Sequence, residues 1–257
     1  LLEVLDRRPG EGLLDSLQML ISSGASLSQS CTDGLRRHRP ELMVLDTLGS
    51  TECSGYAVAT AEAGVFMPLP TTRVLDDELR ELVPGSERTG VAYATGYLPV
   101  GYYNQPEATA ETFITLDGIR YVRSGDRCTV REDGMLVLLG RDSTVINTGG
   151  EKVYTIEVER VLLEHPMVAD AVVVALPHPR FGKQVVAGFA GAAGSGDTLD
   201  LAAIRGFAGK QLADYKVPRL LFAIDAMQRA ANGKPDYGYL QGHARKCAEA
   251  AGLIQAG

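Results

Sequence analysis

The sequence predicts a multidomain chain of mixed α/β and α+β class. Two strand-and-loop units, at residues 17–21 and 42–45, are typical of a layered α/β sheet. Between residues 56 and 139, short β-like runs alternate with turn clusters, which favours a small β-rich, barrel-like subdomain. From residue 144 helical periods and apolar strands alternate, as in a compact α+β domain. We therefore divide the chain into residues 1–55, 56–139 and 144–257, with a hinge at residues 140–143.

The composition excludes several classes of protein. With 257 residues and 45% apolar content, the chain can bury ordinary globular cores. Its formal charge of −7 argues against nucleic-acid binding, because phosphate contacts need clustered Lys and Arg. No apolar run approaches membrane-spanning length. The four cysteines are scattered without a C-x-x-C pair, which favours a reduced, cytoplasmic setting.

The first region carries a polar loop directly after a strand. A basic helix predicted at residues 28–39 ends at Pro40, and the strand at 42–45 runs into residues 46–52. Thr51 and Glu52 place a hydroxyl beside a carboxylate, a pair that suits a phosphate oxygen and a Mg²⁺ ion, or that simply caps a helix. Two strands alone leave unpaired sheet edges, so we expect further strands upstream of this sequence.

In the β-rich region the sequence predicts one short helix and several short strands. The helix is placed at residues 109–113, and the strands at residues 56–60, 65–67, 91–95, 97–100 and 120–122. Asp126 follows in the turn RSGD, where its carboxylate can accept two hydrogen bonds from a ribose diol. The alternative is that this segment is only a turn.

An arginine and a two-glycine loop lie between a strand and a helix in residues 140–159. Gly140 and Arg141 end an apolar strand at 135–139, and a short return strand precedes Gly149 and Gly150. A helix is predicted at residues 155–164, with Glu157 and Glu159 in its first turn. Backbone of this kind can approach an anionic or bulky ligand and can pivot, although a surface turn with a helix cap fits it too.

The C-terminal region combines strands, one further helix and a lysine on a turn. Strands are predicted at residues 171–176, 184–190 and 220–224, and a helix carries Leu201, Ile204, Ala208 and Leu212 on one face. Asp197 or Thr198 is predicted to cap that helix, and residues 191–196 are interpreted as a linker because no Gly-Lys-Ser/Thr follows. Residues 232–235 form a turn with Lys234 at its tip.

Taken in order, these polar loops resemble the adenylate-forming superfamily, which comprises acyl-CoA synthetases, peptide-synthetase adenylation domains and luciferases. The resemblance runs the whole length of the chain. It is carried by SGASLS at residues 23–28, LGSTE at 48–52, GYYN and PEAT at 101–109, YVRSGD at 121–126, GRDSTVINTGGEKVYTIEVE at 140–159 and NGKPD at 232–236. Within the superfamily, NTGGEKVY at 147–154 and GKPDY at 233–237 are similar to fatty acyl-CoA synthetases.

The resemblance implies a two-step reaction: a carboxylate and ATP give an acyl-adenylate and pyrophosphate, and the CoA thiol then takes the acyl group. It implies ATP, Mg²⁺ and CoA as cofactors and a small fatty, aromatic or sterol-derived acid as substrate. Lys234 would act at the α-phosphate, Glu52 would bind Mg²⁺ and Thr51 would bind a phosphate oxygen. The other implied roles are an adenine slot formed by Gly24, Ala25, Asp46, Thr47, Leu48, Gly49 and Ser50, a ribose grip by Asp126 and Arg141, a pantetheine path along Gly149 and Gly150, and a hinge at Asp142 and Ser143.

Three features depart from the family pattern. Leu48 stands where an aromatic side chain usually stacks on adenine, and Ser143 stands where the hinge is commonly Asp or Lys, so Asp142 is its expected substitute. The phosphate loop with its lysine is not found, so the chain resembles the C-terminal half of a synthetase and we expect it to be inactive alone. We expect a homodimer or a separate N-terminal half as partner. Two alternatives stay open: a naturally truncated, non-catalytic nucleotide- or CoA-binding protein or partner subunit, and an adenylation domain that loads a carrier protein.

Overall fold

The chain folds into two units of mixed α/β structure. The computed structural model describes residues 1–24, 27, 29–191, 200–230 and 234–253. The first unit comprises residues 1–124 and 130–137, and the second comprises residues 125–129 and 138–257. Both units combine helices with strands, so the predicted mixed fold class is confirmed. Within the described ranges, no helix is long and apolar enough to cross a membrane.

The first unit is built on one large sheet. Its helices are α1 (Leu2–Arg7), α2 (Gln29–His38) and α3 (Pro106–Thr112), and its strands, two of which run on into the second unit, are β1 (Met19–Ser23), β2 (Met43–Ser50), β3 (Cys53–Ala59), β4 (Val65–Pro68), β5 (Thr72–Leu75), β6 (Gly90–Ala94), β7 (Phe113–Leu116), β8 (Ile119–Val130) and β9 (Leu136–Arg141). Eight of the nine strands follow the order β1-β2-β3-β4-β9-β8-β6-β5, and the ninth, β7, pairs with β8 outside this order. Strands β1 and β2 are parallel, whereas β2–β3 and β3–β4 are antiparallel.

The sheet is an open path and not a closed barrel in the described part of the chain. Strand β3 crosses the boundary predicted between residues 55 and 56, so one sheet runs through both predicted regions. The division into three domains therefore remains a prediction.

Most predicted elements of the first unit overlap observed ones, but the helix predicted at residues 109–113 begins at Pro106 and ends at Thr112, and one predicted strand is not found. Helix α3 begins with Pro106, whose fixed φ and missing N–H suit the first helical turn. The strand predicted at residues 97–100 is wrong, because these residues lie in bends and irregular backbone. Pro99 cannot donate a backbone hydrogen bond, and the Arg120 guanidinium binds the carbonyl oxygens of Pro99 and Val100, at 2.9 Å from Nη2 for Val100.

The second unit has a three-stranded sheet with helices on both faces. Its elements are β10 (Ile146–Thr148), β11 (Glu151–Val153), α4 (Thr155–Leu163), β12 (Val168–His178), β13 (Gly182–Gly191), α5 (Leu201–Gly209), β14 (Leu220–Ile224) and α6 (Tyr237–Ala250). Strands β12, β13 and β14 form the sheet in that order, and β10 pairs with β11 in a separate hairpin. The three strands predicted at 171–176, 184–190 and 220–224 are confirmed.

Two apolar clusters cover the faces of this sheet. One contains Val158 and Leu162 of α4, Ile204 of α5 and Phe189 of β13, all fully buried. The other contains Leu240, Ala244 and Ala248 of α6 against alternate residues of β12 and β13. The second unit therefore buries both faces of its sheet with its own helices.

The predicted cap of the helix beginning near residue 198 is wrong. Helix α5 begins at Leu201, and the Asp200 carboxylate accepts hydrogen bonds from the backbone N–H groups of Ala202 and Ala203, both at 3.0 Å. An aspartate at this position satisfies N–H groups that have no partner within the helix. Asp197, Thr198 and residues 192–196 of the interpreted linker lie outside the described residues.

Candidate functional site

The ends of the parallel strands β1 and β2 bring the first predicted site residues together. Ser22 lies opposite Asp46 and Ser23 opposite Thr47, so Gly24 follows directly at the carboxyl end of β1. The Asp46 carboxylate accepts a hydrogen bond from the Leu27 N–H at 3.4 Å. Burial raises the pKa of Asp46, and the backbone hydrogen bonds from Leu27 and Thr47 only partly offset that rise. Open α/β sheets place ligand sites at this edge.

Gly24 takes φ +84°, a left-handed conformation that side chains other than glycine rarely adopt. Leu48, Gly49 and Ser50 continue along β2 and are half-buried. Ala25 lies outside the described residues. The part of the predicted adenine slot that the structure describes is therefore one continuous edge, formed by the end of β1 and by β2.

Thr51 and Glu52 form the two-residue turn of the hairpin between β2 and β3, because Ser50 pairs with Cys53. The alternative that this pair caps a helix is wrong, since a strand follows it. Thr51 is exposed and Glu52 is half-buried. A tight hairpin turn holds a hydroxyl and a carboxylate together at the tip of a rigid element.

A tyrosine from a distant loop holds Glu52, and no sequence pattern indicated it. The Tyr102 hydroxyl donates a short hydrogen bond to Glu52 Oε1, and this bond raises the pKa of Tyr102. The backbone N–H of Tyr102 donates to Thr109 Oγ1 at 2.9 Å, and the Tyr102 ring packs 5.9 Å from the Phe113 ring centre. Tyr102, Phe113 and Arg120 also line an open groove of about 670 Å³. Tyr102 comes from the GYYN segment, which resembles a family motif but was assigned no role in the sequence analysis.

Glu52 fits a magnesium site that is completed by a substrate. The described residues contain no group of three or more His, Cys, Asp and Glu side chains that could hold a metal ion. In nucleotide sites, however, Mg²⁺ is usually bound by one or two carboxylates, while phosphate oxygens and waters supply the other ligands. A single carboxylate next to the Thr51 hydroxyl suits that arrangement, and a metal held by protein alone does not suit this part of the chain.

In the second unit, Asp126 and Arg141 meet although they lie on different strands. Arg141 Nε donates to Asp126 Oδ1 at 3.0 Å, and the two side chains are 45% and 10% exposed. Gly140, just before the arginine, takes φ +146°, which turns the chain at the end of β9. The guanidinium has five N–H donors, and this bond uses one of them. The pair thus presents a carboxylate and a guanidinium at one point.

The predicted hinge residues form a short turn held by a buried arginine. Asp142 and Ser143 lie in a single 3₁₀ turn, Asp142–Thr144, directly after β9. Arg127 Nε donates to Asp142 Oδ1 at 2.7 Å, and the Arg127 side chain is only 8% exposed. Arg127 was not predicted, and it fixes the first residue of the turn in this conformation.

Gly149 and Gly150 form the two-residue turn of the β10–β11 hairpin, in which Thr148 pairs with Glu151. Both glycines have positive φ, at +59° and +93°, as a hairpin of this length requires. The Gly149 N–H donates to the Phe181 carbonyl at 3.0 Å, and a Cβ on Gly149 would lie 3.1 Å from Phe181 Cδ1. The guanidinium of Arg219 lies over the Phe181 ring, 4.7 Å from its centre. The sequence predicted the glycine loop but not its contact with Phe181.

Lys234 is exposed and lies just before α6. Its backbone carbonyl accepts a hydrogen bond from the Ala230 N–H at 2.8 Å, and Arg229 and Pro235 form an antiparallel bridge. Residues 231–233, which include the predicted turn residues Asn232 and Gly233, lie outside the described part of the chain.

Comparison with known proteins identifies the C-terminal region. Residues 157–234 match the family described as the AMP-binding enzyme C-terminal domain. The medium/long-chain-fatty-acid–CoA/3-oxocholest-4-en-26-oate–CoA ligase of Mycobacterium tuberculosis is 42% identical over 231 residues, covering 87% of this chain and 42% of that protein. The 3-oxocholest-4-en-26-oate–CoA ligase of Rhodococcus rhodochrous is 40% identical, covering 87% of this chain and 41% of that protein. The chain thus spans about two fifths of the length of these relatives.

Solved structures have the same fold. The amide bond synthetase McbA from Marinactinospora thermotolerans aligns with a TM-score of 0.76 and 26% identity, covering 94% of this chain and 54% of that one. ATP-bound MatB from Rhodopseudomonas palustris aligns with a TM-score of 0.73 and 26% identity, covering 89% of this chain and 46% of that one. Together with the sequence relatives and the C-terminal domain match, these likenesses show that the chain belongs to the superfamily of adenylate-forming, AMP-binding enzymes.

Proposed function

We propose that this chain is the C-terminal part of an ATP-dependent acyl-CoA ligase. In the first step a carboxylate oxygen of the acid attacks the α-phosphorus of ATP, and pyrophosphate leaves. In the second step the CoA thiol attacks the acyl carbon, AMP leaves, and the thiol gives up its proton to solvent. The contact between Asp126 and Arg141 at 3.0 Å is the observation that carries this proposal, because it brings together the carboxylate and the guanidinium to which the resemblance assigns the ribose.

The nucleotide would be held through its ribose in the second unit. Asp126 is an acceptor-only group when ionised, so its carboxylate can accept both hydroxyls of a ribose diol. The guanidinium of Arg141 orients that carboxylate and keeps further N–H donors for the same ligand. In the first unit, the edge formed by Gly24, Asp46 and the rest of β2 would face the base.

The phosphates would be contacted by Lys234 and Thr51 directly and by Glu52 through a Mg²⁺ ion. The exposed ammonium of Lys234 would stabilise the charge that develops at the α-phosphate in the first step. The Thr51 hydroxyl would donate a hydrogen bond to a phosphate oxygen, and Glu52 would be the protein ligand of Mg²⁺. When bound, Mg²⁺ would neutralise phosphate charge and align the leaving group.

The second step would use the glycine hairpin and the turn after Arg141. Gly149 and Gly150 have no side chain, so a thin thiol-bearing arm can pass close to their backbone. Asp142 and Ser143 would be the point about which the C-terminal region moves between the two steps. In its present conformation this point is fixed by Arg127.

The acid would belong to the fatty or sterol-derived classes. Both classes appear in the names of the relatives from Mycobacterium tuberculosis and Rhodococcus rhodochrous, which are 42% and 40% identical to this chain. A screen of fatty and sterol-derived acids identifies the substrate. Because the chain spans 42% of the Mycobacterium tuberculosis relative, we expect no turnover from the 257 residues alone.

The test is made on the intact parent enzyme with a panel of acids, ATP, Mg²⁺ and CoA. Lys234→Ala is expected to lower ATP–pyrophosphate exchange by about 10²–10³, the usual effect of losing one transition-state donor. Thioester formation from a supplied acyl-adenylate should be retained, because in that step the thiol attacks the acyl carbon and not the α-phosphorus. Lys246, on the exposed side of α6, is the matched control: Lys246→Ala should leave both steps unchanged. Pyrophosphate exchange at the wild-type rate in Lys234→Ala would refute the proposal.

A further inference from the structure

The segment that carries Lys234 has little structure of its own to hold it. Its two sides are joined by hydrogen bonds from the Ala230 N–H to the Lys234 carbonyl at 2.8 Å and from the Asp236 N–H to the Gln228 carbonyl at 2.9 Å. We name these two sides, residues 228–230 and 234–236, the lysine base. The base belongs to none of the three sheets in the described residues. A two-stranded piece of this size is only marginally stable by itself, so its position must be fixed from outside.

On its C-terminal side the lysine base is fixed by helix α6. The Asp236 side chain caps the helix by accepting from the Tyr239 N–H at 3.0 Å. The helix in turn buries Leu240 and Ala244 against the three-stranded sheet. This attachment holds Asp236, but it does not reach residues 228–230 on the other side of the base.

On its N-terminal side the lysine base is tied to strand β12 by an ion pair. Arg229 Nη2 donates a short hydrogen bond to Asp170 Oδ2, and the two side chains are 39% and 30% exposed. Asp170 lies where the pairing of β12 with β13 shifts register after Val168. Strand β12 is at the edge of its sheet, so this carboxylate lies at a place that a side chain from outside the sheet can reach.

Electrostatic effects on neighbouring groups support the same arrangement. Burial is the main cause that raises the pKa of Glu159, and the charge of Asp170 adds to it. Burial also raises the pKa of Tyr237, next to the lysine base, and the charge of Arg229 acts in the opposite direction. Asp170 and Arg229 are therefore close enough to Glu159 of α4 and Tyr237 of α6 to act on them. The Lys234 side chain is exposed, and the position of its backbone sets which places the ammonium can reach.

We propose that Asp170 and Arg229 are positioning residues for Lys234, holding the lysine base on strand β12 so that the ammonium is presented in one place. This inference rests on the proposed function, in which Lys234 acts in the first step. It assigns a role in that step to two residues that would not touch the nucleotide. Misplacement of a catalytic group by about 1 Å can lower the rate about 10²-fold, so a poorly held lysine base would slow the first step.

The first test measures the lysine base directly in the 257-residue chain. Asp170→Asn and Arg229→Gln should each accelerate hydrogen exchange at the amides of Ala230 and Asp236 by about 2- to 5-fold, as expected for the loss of a half-exposed ion pair. The amide of Ala187 in the buried strand β13 should not change. Glu249→Gln is the matched control, because it breaks the Arg245–Glu249 ion pair of α6 at 3.1 Å without touching the base. Unchanged exchange at both amides in both variants would overturn the proposal.

The second test separates positioning from general stability in the intact parent. The same two variants should lower pyrophosphate exchange at least tenfold and leave thioester formation from a supplied acyl-adenylate unchanged. The exchanged pair Asp170→Arg with Arg229→Asp should recover most of the lost rate, because it restores the attraction with the charges reversed. Faster hydrogen exchange with an unchanged first step would overturn the positioning role. If Lys234→Ala leaves the rate of the first step unchanged, the proposed function is wrong. The hydrogen-exchange result then still decides whether the Asp170–Arg229 ion pair holds the lysine base.

Discussion

The two units bury their sheets very differently. In the second unit both faces of the three-stranded sheet are covered, and Phe189 and Ile204 are fully buried. In the first unit the parallel pair β1–β2 leaves Met19, Ile21 and Met43 44%, 63% and 52% exposed. Parallel strands are usually buried on both faces. The comparison teaches that the second unit covers both faces of its sheet, whereas the parallel pair of the first unit packs Leu20 and Val44 on one face and leaves the apolar side chains of the other face exposed.

The same contrast appears in the candidate site. In the first unit Glu52 is held by a neutral hydroxyl on an open groove. In the second unit the candidate side chains are held by ion pairs, Asp126 with Arg141 and Asp170 with Arg229. We expect substitutions in the second unit to have the larger and more specific effects, and four variants examine that expectation.

The largest effect is expected in the core of the second unit. Phe189→Ala should lower the free energy of unfolding by about 3–5 kcal/mol, because it leaves a cavity in a site that is fully buried. Ile21→Ala, on the exposed edge of the first unit, is the matched comparison and should cost less than about 1 kcal/mol. Urea denaturation of both variants measures the difference. Equal losses would break the contrast between the two units.

Glu159 provides a pH-dependent test within the second unit. Burial is the main cause that raises its pKa to about 7, although the Val173 N–H donates to its carboxylate at 2.8 Å. The folded pKa lies above the unfolded value, so the unfolded state loses the proton first as pH rises. Stability from this group is therefore complete below about pH 4.5, is lost between about pH 4.5 and 7, and stays low above that range.

Glu159→Gln cannot lose a proton and keeps an acceptor for the Val173 N–H. The variant should match the wild type near pH 4.5 and be more stable at pH 8, by at most about 3 kcal/mol, measured by urea denaturation at both values. Glu157→Gln on the same helix is the control, because it removes the ion pair with Lys216 at 2.7 Å and should destabilise the chain. A stability difference between Glu159→Gln and wild type that is the same at both pH values would contradict the expectation.

Local patterns predicted the second unit well and missed contacts between distant residues. The strands at residues 171–176, 184–190 and 220–224 were predicted from continuous apolar runs, which depend only on neighbours in sequence. The hydrogen bond of Tyr102 to Glu52 joins residues that are 50 apart, so no periodicity could indicate it. The strand predicted at residues 97–100 failed for a similar reason, since Arg120 binds its carbonyl oxygens from 20 residues away.

In the candidate site, too, the sequence indicated the residues of the motifs but not the residues that hold them. The order of the polar loops located Asp126 and Arg141, and the structure places these two in contact. It did not indicate the groups that hold them or their neighbours, such as Arg127, Phe181, Asp170 and Arg229. These side chains act through tertiary contacts, and their own sequence surroundings carry no motif.

Gly149→Ala tests the glycine hairpin of the second unit. It should cost about 1–3 kcal/mol, because alanine is strained at φ +59° and its Cβ would lie 3.1 Å from the Phe181 ring. Gly150→Ala is the matched control, since φ there is also positive but no atom lies within 4 Å of the added Cβ. Thermal unfolding followed by circular dichroism should place Gly149→Ala below Gly150→Ala. The reverse order would show that contact with Phe181 does not constrain this turn.

The smallest effect is expected at Tyr102, in the first unit. Tyr102→Phe removes the hydroxyl that donates to Glu52 and keeps the ring against Phe113, so the expected loss is about 0.5–1 kcal/mol of unfolding free energy. Tyr103→Phe, at a neighbouring side chain that is 90% exposed, should be neutral. Combining Tyr102→Phe with Glu52→Ala should cost less than the sum of the single changes, because both remove the same hydrogen bond. Strict additivity in urea denaturation would mean that Glu52 is placed by its hairpin alone. The first unit would then hold its candidate metal ligand without help from the GYYN segment.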